Sequence, residues 1–226
     1  MKKNIFVKSF SETLTQTDLK GLAIDYSEIG LDSMIEDGVL SEIPVIKTIV
    51  AIGNTSIKIS NYFFIKKIAS FLSDLDRYSP EERNELISQI DNDPKTKIKV
   101  GEKILYLLEK AEDHLDAKLI SMLFCAFLSK EIRYEEFLKG SRIIISISYE
   151  DLSEFLLREK EHLNYYGSME EIPNEDDLPL INAGLLGFGY NLNNRSYYQE
   201  EISGMGEIYI TSIGYTLRKI LDLEKL

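Results

Sequence analysis

Tryptophan is absent from this chain, cysteine occurs once and histidine twice. A single thiol excludes an intramolecular disulfide framework, which points to a reducing compartment, the cytoplasm. Two imidazoles and one thiol are too few for a structural zinc site built from His and Cys alone. Long apolar runs are also missing. The most apolar stretch, Val45–Leu72, is interrupted by Lys47, Lys58, Lys66 and Lys67, and its longest uncharged run, Thr48–Ile57, has ten residues. A membrane-spanning helix needs roughly 18 or more. The opening Met1-Lys2-Lys3 leads into no apolar core, because Lys8 and Glu12 break it up, so no secretory signal is expected.

What is present is the composition of a folded protein of one or two domains: 226 residues, 44% apolar and 28% charged. Positive charge is short, with 26 Lys and Arg against 38 Asp and Glu, a net charge of −12. The deficit is uneven. Residues 1–70 are neutral, residues 71–148 carry −3, and residues 149–226 carry −9 from 6 basic and 15 acidic groups.

Helical spacing dominates most of the chain. Ser11–Leu40 reads as two short helices, and Pro44 marks a break after them. An amphipathic helix over 45–72 follows, with Ile46, Val50, Gly53, Ile57, Phe64, Ile68, Phe71, Leu72 and Leu75 as its inner stripe. The clearest start signal is Tyr78-Ser79-Pro80-Glu81-Glu82, which places Ser79 at the N-cap, Pro80 at N1 and Glu82 at N3 of a capping box. That helix should end at the polar turn Asp91-Asn92-Asp93-Pro94. A helix over 98–111 should turn Ile104, Leu105, Leu107 and Leu108 inward. Ala117–Leu128 is apolar almost all round and therefore reads as a central buried helix. Shorter helices are expected over 134–140 and 149–163, with a helical turn at Ile143-Ile144-Ile145 between them.

Near residue 164 the character changes. Tyr165–Leu178 carries Gly167, Pro173, Asn174 and five acids, and reads as a loop. Beyond it, a short helix ends before a glycine and an alternating segment, Ile208-Tyr209-Ile210-Thr211, leads into a closing helix. The expected fold is mostly α, an N-terminal helical bundle (1–163), an acidic linker (164–174) and a small C-terminal winged-helix-like α+β unit (175–226).

The pattern Leu180-x-x-Ala183-Gly184-Leu185-Leu186, followed by Tyr209-x-Thr211-x-x-Gly214-x-x-Leu217, resembles the end of many bacterial winged-helix domains. The whole chain is similar to uncharacterised bacterial and phage helical proteins with such a C-terminal unit. That resemblance implies a bacterial or phage origin and a role in host–phage conflict.

No motif for catalysis stands out, and no cofactor or metal is expected. Asp113-His114-x-Asp116 brings together groups able to bind a divalent metal, but only the two carboxylates share a helix face, which favours a solvated corner. His162 lies in a charged run, a surface face by composition. Cys125 sits in an apolar stripe without a base within one turn, the pattern of an inert buried thiol. Asp91-Asn92-Asp93 would need Gly at the sixth position of a calcium loop, where Thr96 stands. Gly184-Leu185-Leu186-Gly187-Phe188-Gly189 lacks the Lys-Ser/Thr of a phosphate loop and reads as turn glycines.

The remaining signal is a set of tyrosines beside acids: Tyr165, Tyr166, Tyr190, Tyr197 and Tyr198. Tyrosine is enriched at protein interfaces because its rigid ring carries a hydrogen-bonding tip. These five are the candidate partner-binding residues of a non-catalytic, cytoplasmic protein-interaction module that docks a protein partner or self-associates. Two rivals stand beside it. A winged-helix transcriptional regulator would have to bind a polyanion with a −9 domain, so nucleic acid is disfavoured. A membrane-perturbing effector would expose the 45–72 helix at a membrane surface, a less favoured use of a core stripe.

Overall fold

The computed structural model describes residues 2–19, 39–52, 59–168, 173–191, 205–221 and 223. Among them the fold is mostly helical, with ten α-helices and one three-stranded antiparallel sheet near the C-terminus. The expected fold class is borne out. The chain forms two compact units, Met1–Phe137 and Leu138–Lys225. No helix among the described residues is long and apolar enough to cross a membrane.

In the N-terminal unit the helices are α1 (Lys2–Gln16), α2 (Pro44–Ile52), α3 (Ile59–Leu72), α4 (Pro80–Asp91), α5 (Val100–Lys110) and α6 (His114–Leu128). The capping box forms as the sequence requires: Glu82 N–H donates to Ser79 Oγ (3.2 Å), and Ser79 N–H donates to Glu82 Oε2 (2.7 Å). Asp113 Oδ1 caps α6 by accepting from Leu115 and Asp116 N–H at 2.8 and 3.2 Å. Every residue of α6 from Asp116 to Leu128 is buried. Its ring Phe124 stands 5.6 Å from Phe71 and 5.3 Å from Phe137, and Phe71 meets Phe10 at 6.3 Å, so one aromatic file runs through the unit.

The inner stripe holds with one exception. Ile46, Ile68, Phe71, Leu72 and Leu75 are buried, and Phe64 is partly so, but Val50 is 44% exposed. The buried face of α2 is Val45, Ile46 and Ile49, which leaves Val50 on its flank. Gly53, Ile57 and most of the helices expected over 11–40 lie outside the described residues.

One polar pair crosses this apolar core. Lys118 Nζ donates to Asp74 Oδ1 at 2.8 Å, and the two residues are 3% and 7% exposed. Arg77 reaches the same oxygen at 3.2 Å.

The C-terminal unit holds α8 (Tyr149–Leu157), β1 (Tyr165–Ser168), α9 (Leu178–Ala183), β2 (Leu186–Asn191), β3 (Met205–Ile210) and α10 (Ser212–Ile220), after α7 (Tyr134–Ile144). The sheet order is β1-β3-β2. Gly184 ends α9 in the left-handed region (φ 80°), where glycine is at no steric disadvantage. Thr211 Oγ1 caps α10 by accepting from Gly214 N–H at 3.1 Å. Leu186, Ile208 and Ile210 of the sheet are buried, as are Phe155, Leu180, Ile213 and Leu217 of the helices.

Three expectations change. The segment Tyr165–Ser168, read as linker, is a strand whose partner β3 lies forty residues later, a pairing that no local pattern announces. Gly187 and Gly189 lie inside β2 rather than in a turn. The helix expected over 149–163 stops at Leu157, where Arg158 turns to an extended ψ of 136° and a 3₁₀ turn, Lys160–His162, follows.

Candidate interaction site

The sheet register sorts side chains by face, since residues directly opposite across strands point the same way. Tyr166 is paired with Glu207, and Glu207 with Gly189; two residues along β3, Tyr209 is paired with Gly187. These five therefore share the face opposite to the buried Ile208 and Ile210. Tyr166 is 59% exposed and Tyr209 41% exposed. Tyr166 Oη donates to Glu207 Oε1 at 3.0 Å, and this bond, with the carboxylate charge, holds the phenol above its usual pKa. The Tyr209 ring lies over Gly187, whose missing Cβ would stand 2.4 Å from Cζ, and a Cβ on Gly189 would stand 3.7 Å from its Cε1. One tyrosine thus packs where two glycines leave the strand bare, while a second donates to the carboxylate beside it.

Tyr165 points the other way in the register, opposite buried Ile208. Its hydroxyl donates to Asp177 Oδ2, Arg158 Nη1 donates to Asp177 Oδ1 at 2.9 Å, and Asp177 is fully buried. Asn174 Nδ2 adds a bond to the Tyr165 hydroxyl at 3.4 Å. Burial, then the bond to Asp177, pushes the Tyr165 phenol up to about 12. This arrangement ties the acidic segment at 174–177 to β1 and to the end of α8. Tyr190 lies in β2 opposite Gly206; Tyr197 and Tyr198 lie outside the described residues.

No protein-family model, curated protein or solved structure matches this chain. Within the pattern over residues 180–217, Gly184 ends α9, and Thr211 and Gly214 begin α10.

The other sequence candidates fall elsewhere. Asp113 is a helix cap, as above, and Asp116 accepts from Glu112 N–H at 2.8 Å. Asp116 is 8% exposed, and burial raises its carboxyl to about 6. Asp91 Oδ1 accepts from Val100 N–H and Asp93 Oδ1 from Lys95 N–H, both at 2.8 Å, so these carboxylates tie a turn. Cys125 is buried, its thiol donates weakly to Asp74 O at 3.6 Å, and burial pushes its pKa up to about 12. Such a thiol is no nucleophile at neutral pH. His162 is exposed on its 3₁₀ turn. Among the described residues no three His, Cys, Asp or Glu side chains are placed to hold a metal ion.

Two surfaces escaped the sequence reading. Tyr209 belongs to the alternating segment Ile208-Tyr209-Ile210-Thr211 expected from sequence and Glu207 to no expectation, although the alternation Glu207-Ile208-Tyr209-Ile210 does assign both to a polar face. In the N-terminal unit an apolar groove of about 760 Å³ is lined by Phe6, Ile52, Phe64, Leu105 and Tyr106 among others, with Glu102, Lys103 and Glu109 at its polar edge. Its walls come from four helices, so no contiguous motif marks it.

Proposed function

We propose that this protein is a non-catalytic, cytoplasmic protein-interaction module whose contact surface is the outer sheet face of the C-terminal unit. The observation that carries the reading is the pair Tyr166 and Tyr209, both exposed on one face of a sheet whose opposite face is buried. Exposed aromatic side chains on a rigid element give contact area at a small entropic cost. The acidic balance supports a polypeptide partner over a polynucleotide, because phosphate neutralisation needs clustered Lys and Arg.

The test is a photo-reactive benzoylphenylalanine placed at position 166 or 209 and irradiated in living cells. Discrete protein adducts at these positions, absent when the same group replaces the exposed Leu157, are the expected result. Absence of protein adducts at both positions, or adducts to nucleic acid, rejects the reading.

A further inference from the structure

The chemistry of this face specifies what it can hold. Residues 138–225 carry 8 Lys and Arg against 15 Asp and Glu, a net charge of −7. Two of those cations are turned inward: Arg158 is held by Glu154 and Asp177 at 2.5 and 2.9 Å, and Arg218 donates to Phe155 O and, at 2.7 Å, to Arg158 O. The unit therefore presents a negative field, which raises the local concentration of cationic partners. On the face itself Glu207 accepts through Oε1 from Tyr166, and among the described residues Oε2 receives no hydrogen bond, while a carboxylate has room for several. Beside it lie two exposed tyrosines, whose ring faces attract ammonium and guanidinium groups.

We propose that the outer sheet face takes a basic, extended segment of a protein partner, a Lys or Arg side chain lying between the Glu207 carboxylate and the rings of Tyr166 and Tyr209. The proposal rests on the interaction reading above and adds the partner's chemistry. Each alternative occupant meets an opposing force. Single-stranded nucleic acid can stack on sheet tyrosines, but only where positive charge accompanies them, and here the unit is acidic. A second copy would bring the same −7 unit against itself. Gly187 and Gly189 add no side chains of their own to this face, so an extended segment laid across the strands meets the Tyr209 ring and the Glu207 carboxylate directly.

The experiment is fluorescence anisotropy with the full chain at near-physiological salt. The probe is a short labelled peptide of alternating arginine and glycine, with the glutamate–glycine counterpart and oligo-thymidine as comparison probes. The arginine peptide should bind saturably and the other two should not. Glu207→Gln should weaken it about three- to tenfold, Glu207→Lys should abolish binding, and Tyr209→Ala, which removes the ring, should weaken it about three- to tenfold as well. Circular dichroism and melting curves confirm that each variant is folded. Equal binding by wild type and Glu207→Lys means diffuse attraction to an acidic surface and overturns the proposal, as does oligo-thymidine binding that Glu207→Lys strengthens. If the arginine peptide fails while photo-crosslinking at 166 or 209 still yields protein adducts, the basic segment is wrong and the interaction surface stands. If both fail, both readings fall.

Discussion

The ring of Tyr209 occupies the space that a side chain on Gly187 would fill, with Cζ 2.4 Å from the position of the absent Cβ. The glycine weakens β2 by its own propensity, and the tyrosine shields the strand it leaves bare.

Gly187→Ala must therefore displace that ring, and the exposed end of a side chain can move. The expected loss is about 0.5–1 kcal/mol, with an altered Tyr209 environment. Gly214→Ala differs: its Cβ would stand 2.4 Å from Leu185 O, a backbone atom, with Ile210 Cγ2 at 2.9 Å. Backbone cannot swing away, so a loss of about 2–3 kcal/mol is expected. Urea unfolding followed by the tyrosine signal of the C-terminal unit ranks the two; an equal or reversed ranking contradicts the packing described.

Lys118 and Asp74 form their ion pair in the core at 2.8 Å. Removing Lys118 leaves the buried Asp74 carboxylate to the longer, solvent-exposed contact with Arg77, so Lys118→Met should destabilise by about 2–4 kcal/mol. The double variant Lys118→Met/Asp74→Leu should be more stable than Lys118→Met alone, since no charge is then stranded in the core; Arg77 loses a partner but is itself exposed. Denaturant midpoints of the three proteins decide this, and a double variant weaker than the single one counts against it.

Asp116 gives a pH signature. Its folded pKa of about 6 lies above the ordinary 3.8, so the folded state binds more protons than the unfolded one between those values. Stability from this group is therefore full below about pH 4 and is lost as pH rises through about 6. Asp116→Asn keeps an oxygen acceptor for Glu112 N–H but does not titrate. Relative to the wild type, the variant should be about 1–2 kcal/mol more stable at pH 7 than it is at pH 4, an amount reduced for partial solvation. Unfolding free energies of both proteins at the two pH values test this; a difference that does not change with pH excludes it.

Tyr165, Asp177 and Arg158 should behave as one unit. Tyr165→Phe removes one hydrogen bond to a buried carboxylate and should cost about 1–3 kcal/mol, whereas Asp177→Ala leaves Arg158 and Tyr165 without their common acceptor and should cost about 3 kcal/mol or more. Hydrogen exchange should quicken in β1 for both, and more for Asp177→Ala. Unchanged exchange in β1 would show that the strand does not depend on this link.

Features written in neighbouring residues were legible before any coordinates. The capping box at Ser79-Pro80-Glu81-Glu82, the all-round burial of Ala117–Leu128 and the helix stop at Gly184 depend on contacts within a turn or two. So does the inertness of Cys125, a small apolar residue in an apolar stripe. The candidate surface was only half legible. Tyr166 stood among the named tyrosines, but its neighbours Glu207 and Tyr209 are brought to it by strand pairing across some forty residues. Tyr165, which looked equivalent to Tyr166, is turned to the opposite face by the two-residue period of the strand.

By itself the sequence determined a mostly helical chain with a short C-terminal sheet, its helix starts, its central buried helix and its acidic balance, because periodicity, capping and charge are local or additive. Tertiary structure alone decided that 165–168 is a strand, that Lys118 meets Asp74 inside the core, and that Tyr166, Glu207 and Tyr209 share one face. Each of these needs two segments far apart in the chain to meet, and the free energy that joins them comes from burying the common core, which no window of sequence contains.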